Sequence, residues 1–233
     1  MEELNSILER AKEFLTDLEV EYNNNLKNEV ITTRAKNITN DFFAKLKSAL
    51  DHKMYMIWEK YCKSGLSQTE IDKIRVYYPI TNDENSFRST LGRSKMNSIE
   101  SSNNKIYEYI LDTQPFRNQN NMWLKTLSQI ANEGKHVKLS TQKRKEDKRI
   151  TVSRGSGSVS YGPGVKFGSG VSVMGAKMNP NTQRINPTPG VTENIERLVS
   201  FVLEDHSVNA LGFAKDSFEK ITKIIRDLSN LMI

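Results

Sequence analysis

Only one of the 233 residues is a cysteine, and no apolar run approaches the length of about 18 that a membrane-spanning helix needs. A lone Cys62 cannot close a bridge within the chain, which excludes a disulfide-stapled scaffold and a multi-cysteine zinc ribbon. Histidine is equally scarce. His52, His136 and His206 stand far apart, with no spacing such as H-x-x-H or H-E-x-x-H, so neither a metal nor a cofactor is expected. No G-x-S-x-G elbow is present to support Ser-His-Asp hydrolysis. The opening MEELNSILERAKEF carries two acids and no continuous apolar core, unlike a signal or transit peptide. With 36% hydrophobic and 27% charged residues, the expectation is a cytoplasmic globular protein with no membrane contact.

What is plentiful is positive charge, and it is concentrated. Residues 1–134 hold 18 Lys and Arg against 19 Asp and Glu, and residues 178–233 hold 6 against 7. Residues 135–177 hold 10 against 2, which more than accounts for the net charge of +6. Seven of the twelve glycines fall between 155 and 175, and four of the six prolines between 163 and 189. These shifts divide the chain into a helical region at 1–134, a basic Gly-rich module with a Pro/Asn loop at 135–190, and a closing strand and helix at 191–233.

Within the first region, Leu4, Ile7, Leu8, Ala11, Phe14, Leu15 and Leu18 recur at helical spacing, predicting a helix over about 3–24 that Asn23-Asn24-Asn25 interrupts. Ile31 to Tyr61 keeps the same period and ends near Gly65. Ser67 and Glu70 form a capping-box pattern for a short helix, and Tyr78-Pro79 opens a loop. Met96, Ile99, Ile106 and Ile110 predict a third long helix; Trp123 to Ala131 predicts a fourth, with both tryptophans in the core. The middle module alternates apolar residues from Thr151 to Val173 around Gly-Ser and Gly-Pro-Gly turns, predicting two or three antiparallel strands. Ile195 to Leu203 predicts a strand, and Val208 to Leu228 a closing helix. The expected class is therefore α+β, mainly α: an antiparallel four-helix bundle, a small Gly-rich antiparallel β module and a C-terminal helix.

The glycine cluster fits neither phosphate-binding pattern, because Gly162 is followed by Pro163 and no G-x-G-x-x-G is completed. One segment does stand out, Phe42-Phe43-Ala44-Lys45-Leu46-Lys47-Ser48-Ala49-Leu50-Asp51-His52. It resembles the F-x-x-L-R-S-A-L-D-H helix of a group of bacterial proteins that look like HEPN-type helical domains. Tyr78-Pro79-Ile80, Asp112 to Phe116, and Trp123 to Gly134-Lys135-His136 follow in the order seen in that group, so the resemblance covers roughly residues 35–140. It implies RNA or a nucleotide as ligand, a homodimer, and a place in a bacterial or phage conflict system. The metal-independent ribonuclease motif R-x4-6-H of that group maps onto Lys47 and His52, with Ser48 and Asp51 beside them. Here the arginine is a lysine, and an ammonium cannot hold a phosphate through the two parallel bonds of a guanidinium.

Helical geometry bears on that motif. At about 100° per residue, Lys47 and His52 both lie off the core face but about 140° apart. Lys47 and Asp51, four residues apart, suit a surface ion pair. A second reading keeps the chain non-enzymatic, with the basic β arm docking a partner protein or a nucleic acid. Its candidate contacts are Lys135, His136, Lys138, Lys143, Arg144, Lys145, Lys148, Arg149, Arg154 and Lys166, with Tyr161 and Phe167 as aromatic residues for stacking on bases. The plainer alternatives are a helix-end charge for Lys135 and His136, and ordinary hairpin packing for Tyr161 and Phe167.

Overall fold

The computed structural model describes residues 2–28, 31–133, 142–162, 164–203 and 206–233. The chain is α+β and mainly helical, and it divides into two compact units, Met1–Lys143 with Val202–Ile233, and Arg144–Phe201. Among the described residues, no helix is long and apolar enough to cross a membrane.

In the first unit, α1 (Glu2–Asn28) and α2 (Thr33–Tyr61) pack against each other, and α2 also contacts α7 (Met122–Glu133) and α8 (Ala210–Leu231). Helix α2 is central because its apolar residues leave few gaps: Phe42, Phe43, Leu46, Ala49, Leu50, Met54 and Ile57 are all 0% exposed. Thr32 caps its start, accepting from Ala35 N at 3.1 Å. Gly65 sits at φ +86° in the turn beyond its end, where a side chain would be strained. The Ser67–Glu70 capping box forms as its spacing predicts and starts α3 (Gln68–Lys73). Trp58 is buried in the core, whereas Trp123 is half-buried, with the Lys220 ammonium 5.3 Å from its ring centroid.

Three expectations are corrected here. Helix α1 runs through Asn23-Asn24-Asn25, because packing against α2 and α8 outweighs the weak propensity of asparagine. The loop after Pro79 contains a helix, α4 (Glu84–Arg93), capped by Asp83 and seated on Phe87 and Leu91. The third long helix is two, α5 (Ile99–Ser102) and α6 (Asn104–Asp112), because Asn103 adopts φ −155° and caps α6 with its side chain on Ile106 N.

In the second unit, β1 (Gln142–Arg154) and β2 (Gly157–Tyr161) form a hairpin in which Gly155, at φ +56°, takes the first position of the two-residue turn. β1 lies between β2 and β6 (Val191–Leu203), whose last residues pair with β7 (Val208–Asn209) in the first unit. A separate sheet joins β3 (Ser172–Val173), β4 (Ala176–Asn179) and β5 (Arg184–Ile185). The expected Pro/Asn loop at 178–190 thus contains strand, while Val165 and Phe167 lie outside any strand. Val152, Tyr161, Val173 and Met178 make the small core of this unit. The Glu193 carboxylate ties β5 to the start of β6, holding the Arg184 guanidinium at 2.6 Å and accepting from Ile185 N.

A lysine is buried in the helical core. Lys53 is 1% exposed, and its ammonium donates to Ser229 Oγ at 2.9 Å. Burial, helped by the charge of Lys60, pushes its pKa below the ordinary lysine value. Between the folded and unfolded values the unfolded chain binds more protons, so stability rises with pH through that window. Lys53→Met should raise stability at pH 7 by about 1–3 kcal/mol and abolish the alkaline rise, as read by urea melts at pH 7 and pH 10. A variant less stable than the parent at pH 7 would contradict this account.

Candidate functional site

Three parts of the helical unit surround a cleft of about 370 Å³: Lys47 and Asp51 from α2, the extended segment Tyr77–Thr81, and Ser128 and Asn132 from α7. Thr90 of α4 lies at its edge. The extended segment is the unusual wall, since its backbone groups belong to no helix or ladder and must find partners elsewhere.

Two side chains supply them. Gln114, 0% exposed, follows α6 and uses its amide completely: Nε2 donates to Pro79 O at 2.9 Å and Ile110 O at 3.0 Å. Its Oε1 accepts from Thr81 N at 3.2 Å and Thr81 Oγ1 at 3.3 Å. Asp51 accepts from Tyr78 N at 2.8 Å through Oδ1, the atom that also receives the Lys47 ammonium at 2.6 Å. The Tyr78 ring is buried, its hydroxyl lies 2.6 Å from Thr113 Oγ1, and burial raises its pKa. Three stretches that the sequence resemblance singles out, around Asp51, Tyr78-Pro79-Ile80 and Thr113-Gln114, are thereby hydrogen-bonded to one another.

The cleft is polar with one aromatic wall. The Lys47 ammonium lies 5.7 Å from the centroid of Tyr77, whose side chain is 53% exposed. Asp51 takes one of its three N–H bonds. Tyr77, Thr81, Thr90, Ser128 and Asn132 escaped the sequence reading; the signals available were an aromatic directly before Tyr78-Pro79 and a polar pair four residues apart on α7.

The four residues of the ribonuclease-type motif are divided. Lys47 and Asp51 face the cleft, Ser48 is exposed, and His52 turns to α1, with Nε2 3.8 Å from the Glu3 carboxylate. This follows from the angular offset along α2 and makes no Lys47–His52 constellation within one chain.

Of the candidate basic-arm contacts, Lys135, His136 and Lys138 lie outside the described residues, and Lys143 and Arg144 fall in β1. Lys145, Lys148, Arg149, Arg154 and Lys166 are exposed, Lys145 standing 3.3 Å from Asp147. The aromatic pair departs from the stacking expectation. Tyr161 is 8% exposed and packs edge to face with half-buried Phe167 at 4.8 Å, and its hydroxyl donates to Gln183 O. The Gln183 side chain holds Phe167 through both its backbone N and O. These rings serve the small core, because an apolar unit this small needs them there.

Because Gln114 satisfies four groups at once, Gln114→Ala should cost about 2–4 kcal/mol, well above an ordinary surface change. Chemical denaturation of the variant measures it, and a loss under about 0.5 kcal/mol would show that the clamp is dispensable. Compared with protein-family models, curated proteins and solved structures, the chain has no match.

Proposed function

We propose that the helical unit is a HEPN-like domain of four-helix-bundle type that engages RNA or a nucleotide ligand through the Lys47 cleft and does not cut it. The observation that carries this reading is the pairing of an ammonium with an exposed aromatic ring in one cleft, at Lys47 and Tyr77. A phosphate would take the free N–H bonds of Lys47, and a base would lie on the Tyr77 ring. Ser128, Asn132 and Thr90 offer neutral hydroxyl and amide groups suited to ribose and base edges. The separation of His52 from Lys47 supports binding without cleavage, since acid–base chemistry needs the imidazole within reach of the same phosphate.

Fluorescence anisotropy with a labelled ten-residue uridine RNA, and calorimetry with ATP, test the reading. Lys47→Ala and Tyr77→Ala should each weaken the bound ligand about tenfold, and for the RNA Lys47→Ala should reduce the slope of log affinity against log salt by roughly 0.7. His52→Ala should leave affinity unchanged, and the RNA should stay intact in EDTA. Cutting that disappears in His52→Ala would instead make the chain a nuclease, and equal affinity in all three variants would remove the cleft from RNA and nucleotide binding.

A further inference from the structure

Strand β1 is thirteen residues long, but β2 pairs with only its last five, from Ile150↔Tyr161 to Arg154↔Gly157. Beyond Tyr161 the chain leaves the ladder at Gly162, where Val165 N donates back to Gly162 O at 3.1 Å. Among the described residues, no strand continues along that side of β1 before Ile150. A groove of about 350 Å³ adjoins it, lined by Asp147, Lys148, the paired Ile150 and Tyr161, and Val165 and Lys166.

We propose that this groove accepts an extended acidic segment of a partner protein, added as a strand beside Lys145–Arg149. An unpaired strand edge presents a row of N–H and C=O groups that an incoming backbone completes, while alternate side chains enter flanking pockets. The apolar positions are Ile150, Tyr161 and Val165, which is 45% exposed. Charge selects the partner: exposed Lys148 and Lys166 line the groove, exposed Arg149 is their neighbour on β1, and the lining Asp147 is already paired with Lys145. A second copy of the same edge would set lysine against lysine, so self-pairing is disfavoured and an acidic strand is favoured. A protein segment fits better than RNA because no free aromatic face lies in the groove. Tyr161 is 8% exposed and packs nearly perpendicular to Phe167 in the small core.

The test uses the full chain and three fluorescein-labelled octapeptides: alternating Glu-Val, alternating Lys-Val, and the Glu-Val peptide N-methylated at every second residue. The Glu-Val peptide should bind at least tenfold tighter than either of the others, and it should slow amide hydrogen exchange at Lys145–Arg149. Lys148→Glu with Lys166→Glu, both on exposed lysines, should weaken it at least tenfold with an unchanged far-UV dichroism spectrum. Lys47→Ala should have no effect, which separates this site from the helical cleft. Equal binding of the N-methylated peptide would overturn strand addition. So would displacement of the Glu-Val peptide by the uridine RNA at lower concentration, or the absence of any peptide binding.

Discussion

A stretch of non-helical backbone can line a helical cleft only if its polar groups are satisfied, and residues 77–81 meet that condition through two side chains. Gln114 takes the carbonyl of Pro79 and the amide of Thr81, and Asp51 takes the amide of Tyr78. Buried amides left without partners would cost more than a hydrogen bond returns, so the segment has little freedom to shift while these bonds hold. Everything in the cleft is placed relative to it. Tyr77 is exposed because Tyr78 is anchored inward, and Lys47 stays beside Tyr77 because Asp51, held by Tyr78 N, holds it in turn.

Asp51 therefore has two duties, and this changes the meaning of the Lys47–Asp51 pair. On an isolated helix such a pair contributes a few tenths of a kcal/mol. Here the same oxygen also receives a backbone amide, and the side chains are 12% and 21% exposed, so the carboxylate orients Lys47 as well as neutralising it. Lys53, six residues on, has the opposite setting: a core position with Ser229 as its hydrogen-bond acceptor and no carboxylate partner among the described residues. One helix thus carries a lysine ion-paired with a carboxylate and another whose charge burial disfavours.

Helix α2 was legible because burial repeats along it every three or four residues, and the Ser67–Glu70 box because its chemistry is local. Asn103 was not, since whether an asparagine continues a helix or caps the next depends on which bond its side chain finds, Ile106 N in this case. The same distinction divides the cleft. Lys47 and Asp51 lie on one helix at a readable spacing, whereas Tyr77, Ser128 and Asn132 come from a loop and a distant helix and meet them only through tertiary packing. Tyr161 and Phe167 were readable as a basic strand's aromatic pair, but which way the rings turn is decided by the size of the core they must fill.

That last point determines how the basic unit can recognise anything. A small sheet that reads nucleic acid through its face needs aromatic rings to spare, and among the described residues of this unit both Tyr161 and Phe167 belong to the small core. With Tyr161 and Phe167 committed inward, its exposed groups include lysines, arginines, single valines and an incompletely paired strand edge. Cations along such an edge ordinarily prevent strands from associating. They act against basic strands by like-charge repulsion and against neutral ones through the cost of desolvating an unpaired ammonium, and the charge interaction becomes attractive for an acidic strand. The charge that protects β1 from its own copies is for that reason the charge that would choose its partner.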